Sequence, residues 1–241
     1  MIYTIGVYKG GTGKTTTAAA LSHYLAKETL KTLVIDLNAQ GSLSLIMRAT
    51  GRNGTIADAI RGRSCKPEKL AGKLYILPAG PELEEIRDEV AITEAIKEAA
   101  ESFYNVVIDS PPENKTFLNA ALLASDYVIM PLNADIYGAQ GFLQMVATVK
   151  KARGKNSRLK FGGVFLNEYN QRATIARTMR ETIQQAAAGE GVPYLGEVRR
   201  GVAIEEAAAL RESIFDHAPR SNPAQDLQAV FEKVLHLGYK L

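Results

Sequence analysis

Two lysines five residues apart, Lys9 and Lys14, enclose a glycine-rich run near the amino terminus, Tyr8-Lys9-Gly10-Gly11-Thr12-Gly13-Lys14-Thr15. Its end, Gly13-Lys14-Thr15, fits the phosphate-binding pattern G-x-x-x-x-G-K-[ST], but Tyr8 stands where that pattern has its first glycine. Glycines let backbone N–H groups turn inward around phosphate oxygens, and a helix beginning at Lys14 adds its positive end. In that chemistry Lys14 reaches the β- and γ-phosphates of a nucleotide and the Thr15 hydroxyl ligates Mg²⁺. Gly10, Gly11, Thr12, Gly13 and Thr16 complete the expected nucleotide cradle.

Two carboxylates fit the same chemistry. Val106-Val107-Ile108-Asp109 is an apolar run closing on an acid, and Leu33-Val34-Ile35-Asp36 is another. An Asp at a strand end often starts a turn, but two beside one phosphate loop favour a metal site built from Thr15, Asp36 and Asp109.

These residues need elements to hold them. Strands are expected over Ile2–Tyr8, Thr32–Asp36, Leu74–Leu77, Val106–Asp109, Tyr127–Pro131 and Phe161–Leu166. Helices are expected over Lys14–Lys27, Thr55–Arg61, Pro81–Glu101, Lys115–Ala124, Tyr137–Ala152 and Ala173–Ala188. Near-continuous apolar strands alternating with helices predict a single-domain α/β fold over residues 1–241, a mostly parallel twisted sheet covered by helices on both faces. The chain opens at its first strand, so no N-terminal helix-turn-helix module is expected. Leu227, Val230, Phe231, Val234 and Leu235 form a helical stripe in the last segment, which reads as a packed terminal helix.

The loop, the strand ending Asp109-Ser110-Pro111-Pro112 and the segment Asp36-Leu37-Asn38-Ala39-Gln40-Gly41 resemble the ParA/MinD group of deviant Walker-A ATPases, ParA most closely. Arg199-Arg200-Gly201-Val202 and His217-Ala218-Pro219-Arg220 resemble the ParA carboxyl-terminal pattern, and Gly163-Val164-Phe165-Leu166-Asn167 the strand whose terminal Asn contacts adenine. The resemblance implies an ATP sandwich homodimer in which Lys9 reaches the partner's phosphates while Lys14 serves its own. It also implies a ParB-like or other adaptor that stimulates hydrolysis. The cargo would be a plasmid, a chromosome origin or a protein assembly such as a carboxysome.

One position departs from the family. The pattern D-x-D-P-Q-G has its second Asp, which positions the attacking water, where this chain has Asn38, and its proline where this chain has Ala39. An amide orients water but is a poor proton acceptor. With Lys9, Lys14, Asn38 and Asp109 as the catalytic set, ATP binding with slow or trapped hydrolysis is expected.

Charge is regional. Residues 150–180 carry nine basic side chains against Glu168 alone, a local +8 where the whole chain carries +3. Lys150, Lys151, Arg153, Lys155, Arg158, Lys160, Arg172, Arg177 and Arg180 therefore form a candidate surface for nonspecific double-stranded DNA, extended by Arg199 and Arg200. A solvated basic face is the plain alternative. The one cysteine, Cys65, excludes an internal disulfide and, with no signal-peptide pattern, fits a cytoplasmic, nucleoid-associated protein. A MinD-like membrane role lacks its basic amphipathic tail, an iron–sulfur reductase its paired cysteines; a nucleotide-gated switch with little turnover stays open.

Overall fold

The computed structural model describes residues 1–28, 30–112 and 114–238. The first half of the chain comprises β1 (Ile2–Ile5), α1 (Lys14–Glu28), β2 (Thr32–Asp36), α2 (Ser42–Ile46), α3 (Ile56–Ile60), β3 (Glu68–Ala71), β4 (Leu74–Leu77), α4 (Glu89–Ala100) and β5 (Asn105–Asp109). The second half comprises α5 (Lys115–Ala124), β6 (Tyr127–Asn133), α6 (Ile136–Arg153), β7 (Lys160–Tyr169), α7 (Thr174–Gly189), β8 (Tyr194–Arg199), α8 (Val202–Leu210), α9 (Ile214–His217) and α10 (Asn222–Gly238).

Among the described residues eight strands join one sheet in the order β3-β4-β2-β5-β1-β6-β7-β8, and of these only β3 runs antiparallel to its neighbour. Successive strand residues face opposite sides, so both faces must be covered. Tyr3, Ile5, Val34, Val107 and Ile129 pack toward α1 and α10. Leu33, Ile35, Val106 and Ile108 pack on the other side toward α3, α4 and α5, and Val128, Met130, Val164 and Leu166 toward α6 and α7. Each of these strand residues is at most 1% exposed. The stripe of α10 is consumed here too: Leu227, Val230, Phe231 and Val234 are buried, and Phe231 meets the Tyr24 and Phe215 rings at 5.7 and 6.3 Å. Among the described residues no helix is long and apolar enough to cross a membrane.

The sequence misplaces some boundaries. β1 stops at Ile5, not Tyr8, because its last pair on the β5 side is Ile5 with Asp109, where β5 itself ends. The expected helix Pro81–Glu101 is a 3₁₀ turn over Pro81–Glu85 and then α4. Asp88 starts α4 afresh by accepting the Val90 and Ala91 N–H groups at 2.9 and 3.0 Å. β3, β8 and the short helices α2, α8 and α9 went unpredicted. Both strands lie on the sheet edges, where half-exposed residues interrupt the apolar pattern.

Candidate functional site

The carboxyl ends of β1, β2, β5, β6 and β7 converge on one edge of the sheet, the place where open α/β sheets hold ligands. Between β1 and α1 the loop turns through Gly11 at φ +70° and Gly13 at φ +84°, left-handed conformations that favour glycine. A side chain at Gly13 would also collide with the Asn167 amide. Thr17 closes the first turn of α1, its N–H and hydroxyl both donating to the Gly13 carbonyl at 2.8 and 2.7 Å.

Lys14 is buried, and its Nζ donates to the Lys9 carbonyl at 2.6 Å. Burial lowers its pKa to about 8, against the opposing pull of Asp109. This is a desolvated cation inside an anion-shaped loop. Lys9 points elsewhere. Its ammonium bonds Asp135 at 2.8 Å and lies 5.2 Å from the Tyr137 ring, on the exposed rim at the start of α6. Asp135 also caps α6 through the Gly138 N–H.

Asp36 and Asp109 are register partners on adjacent strands. Asp109 is pushed up to about 7 by burial first and by Asp36 second, with the Thr15 hydroxyl and Lys14 pulling the other way. Thr15 donates to Asp109 Oδ2 at 2.7 Å, while Asp109 Oδ1 is buried with no hydrogen-bond partner. A buried, orphaned carboxylate oxygen beside a hydroxyl fits magnesium. Asp36 differs from the expectation of an equal ligand. Its Oδ2 accepts the Ser44 N–H and hydroxyl at 2.9 and 2.7 Å, and its Oδ1 accepts the Asn38 N–H at 3.0 Å. It braces the turn that carries Asn38. Asn38 Oδ1 accepts the Gln40 N–H at 3.2 Å, and the residue borders a cavity of about 310 Å³ with Pro111, Pro112 and Glu84.

The remaining predicted cradle residues divide. Gly10 and Thr12 lie within the loop, whereas the Thr16 side chain lines a small apolar cavity with His23, Met47 and Ile204. Asn167 is buried, and its amide donates one hydrogen to the Thr12 carbonyl at 3.1 Å, so the adenine contact implied by resemblance would fall to Oδ1 or the second amide hydrogen. Its register partner Asn133 donates to the Gly11 carbonyl at 3.3 Å. Sequence reasoning missed Asn133, Asp135 and Tyr137. Their position at the end of β6, beside the loop strand β1, was the available signal.

The basic segment is not one patch. β7, about 30 Å long, separates Lys150, Lys151, Arg153, Lys155, Arg158 and Lys160 near its start from Arg172 beyond its end, and Arg177 and Arg180 follow on α7. Acids from elsewhere oppose several: Lys150 meets Glu190, Lys155 meets Glu89 at 3.7 Å, Arg158 meets Asp126 and Arg180 meets Glu197, both at 4.0 Å. Arg153 lies over the Phe161 ring. Arg199 forms a bidentate pair with Asp226, both bonds 2.7 Å, so it serves the β8–α10 contact instead of an open surface. Lys151, Lys160, Arg172, Arg177 and Arg200 are exposed.

Fold and loop together define a P-loop nucleoside triphosphatase. Comparison narrows the class: an AAA domain family model matches residues 1–161. The chromosome-partitioning ATPase Soj of Thermus thermophilus is 32% identical over 237 residues, 94% of this chain and 92% of Soj. Chromosome partitioning protein ParA of Caulobacter vibrioides is 30% identical over 233 residues, 89% of this chain and 86% of ParA. The chain belongs to the ParA/Soj family of P-loop ATPases. Among solved structures, a McdA–ATP complex from Cyanothece superposes with a TM-score of 0.85 at 20% identity, covering 100% of this chain and 97% of McdA. MinD of Pyrococcus horikoshii with Mg-ADP gives 0.83 at 24%, covering 100% and 99%. At these identities the two structures speak for the fold alone.

Proposed function

We propose that this chain is an ATP-gated positioning ATPase. MgATP closes a homodimer, the dimer binds double-stranded DNA without reading sequence, and an adaptor on the cargo triggers hydrolysis and release. The observation that carries this reading is the division of the two lysines. Lys14 fills its own loop, and Lys9 stands on the rim against Asp135 and Tyr137, which supports reading it as the cation for a second protomer's phosphates. A cation supplied across a dimer stabilises phosphate charge and makes dimerisation depend on the triphosphate.

Within one protomer, Lys14 and the loop N–H groups hold the phosphates, and Asp109 with Thr15 would hold magnesium. Magnesium, when bound, supplies charge neutralisation to the β- and γ-phosphate oxygens. Asn38 would orient a water without accepting its proton, which keeps turnover slow. Because an amide, Asn38, stands in the braced turn after Asp36 where the family has a carboxylate, a nucleotide-gated switch with little turnover is the second reading.

In this reading the protein works in the cytoplasm on the nucleoid, and its DNA affinity comes from phosphate contacts doubled by dimerisation. The Soj and ParA relatives are named for chromosome partitioning, which supports a segregation or positioning role. The test is sedimentation and DNA binding with ADP, ATP and a nonhydrolysable analogue over a salt series. Dimers and salt-sensitive DNA binding are expected only with the triphosphates. A monomer in every nucleotide state would overturn the reading, as would DNA binding indifferent to salt.

A further inference from the structure

The residue that replaces the first glycine of the phosphate loop is tied to a distant helix. The Tyr8 ring packs against the apolar cluster between β6, β7 and α6, and its hydroxyl lies 2.9 Å from Thr148 Oγ1 on α6. Thr148 gives its one hydroxyl hydrogen to the Gln144 carbonyl at 3.0 Å, so Tyr8 donates in this pair and Thr148 accepts. The next residue, Lys9, is tied to the same helix through Asp135, its N-cap. Asp135 and Thr148 are more than three helical turns apart. Two consecutive side chains thus span α6 and fix the entry to the loop at two points.

We propose that Tyr8 is a positioning residue for Lys9. By pinning the loop entry to the middle of α6, it sets the backbone from which the Lys9 ammonium projects onto the rim. The inference rests on the reading of Lys9 as a cation given to a second protomer. A glycine at position 8 would leave the loop entry free, and the outward lysine would have to be ordered when the dimer closes. A tyrosine suits this role because it has only two side-chain torsions, so holding it still costs little entropy. Lys14 depends on Tyr8 far less. It leaves from the first residue of α1, and its one bond to the Lys9 carbonyl is of a kind that phosphate oxygens replace.

The consequence is a split between two equilibria. Nucleotide binding to a single protomer reads Lys14, Thr15 and Asp109; dimer closure reads Lys9. Tyr8→Phe keeps the ring and its packing, Thr148→Val keeps the shape of the acceptor, and Thr148→Ser restores the hydroxyl. The affinity for a nonhydrolysable ATP analogue is measured at dilute protein, and the dimer dissociation constant at saturating analogue. Tyr8→Phe and Thr148→Val are expected to weaken dimerisation about tenfold, one ordering cost per protomer, with analogue affinity held within about twofold and Thr148→Ser at the wild-type value.

Unchanged dimerisation in Tyr8→Phe, or a parallel loss of both affinities, overturns the positioning role. Lys9→Ala separates the two levels of the argument. If it dimerises like the wild type, Lys9 is not a trans cation and the reading beneath the inference fails. If it fails to dimerise while Tyr8→Phe dimerises normally, only the assignment of Tyr8 falls.

Discussion

The phosphate-loop edge of the sheet and the basic segment from Lys150 to Arg180 hold charge in opposite ways. At the loop, Lys14, Asp36 and Asp109 are buried at 6%, 0% and 1% exposure, and named atoms of loops and helix starts fix each one. Along the basic segment most cations are exposed, several pair with acids brought in by the fold, and the groups divide between the two ends of β7. Desolvation makes each charge at the loop individually consequential, because water cannot take over its role. On the surface, solvent and salt do much of that work, and single charges become nearly interchangeable.

The largest effects are therefore expected at the loop edge. Asn38→Asp keeps the side-chain oxygen that accepts the Gln40 N–H and adds a proton acceptor. Its single-turnover phosphate release should rise about 10²- to 10⁴-fold. An unchanged rate would mean that Asn38 is not what limits turnover. Lys14→Ala removes the desolvated cation of the loop and should weaken MgATP binding by about 10²-fold, measured by calorimetry. A loss of only two- or threefold would place the site among the solvent-screened charges and erase the contrast between the two regions.

What was legible in the sequence follows the same division. Gly13-Lys14-Thr15 and Asp109 could be read because their constraints are local: a left-handed turn, a helix start and a strand end. Asp36 was found for the same reason, yet its bracing of the Asn38 turn depends on Ser44, which the chain brings back through α2. Asp135 and Asn133 reach the loop only through strand order, since β6 lies beside β1 although the contacts are 126 and 122 residues apart in sequence. Charge counting overstated the net charge of the basic segment because the opposing acids Glu89, Asp126, Glu190 and Glu197 lie outside it. β8 escaped because Gly196, Glu197 and Arg199 interrupt its apolar run, as an edge strand permits.

Arg199 tests the boundary between the regions, since it belongs to the basic inventory by sequence but is paired by structure. Its bidentate bond to Asp226 joins β8 to α10, with Arg199 38% and Asp226 16% exposed. Arg199→Ala is expected to cost about 1–2 kcal/mol of stability, read by chemical denaturation, after allowance for solvent screening of the exposed partner. Its DNA affinity should show the wild-type salt slope. A reduced slope with unchanged stability would return Arg199 to the DNA surface.

The smallest expected effect belongs to single exposed cations, and it decides which end of β7 meets DNA. Each phosphate contact removed should lower the slope of log affinity against log salt by about 0.9. Lys151→Ala probes the end near the start of β7, and Arg172→Ala the end beside the phosphate loop; both side chains are exposed. Only the variant at the DNA-facing end should lower the slope, and both should leave ATP affinity untouched because, among the described residues, no hydrogen bond joins either side chain to Lys14, Thr15 or Asp109. Because dimerisation places two copies of each residue on one complex, the observed change should approach twice the single-site value when both copies reach phosphate. A change at both ends would require DNA to track the full length of β7, and no change at either would remove Lys151 and Arg172 from the DNA surface.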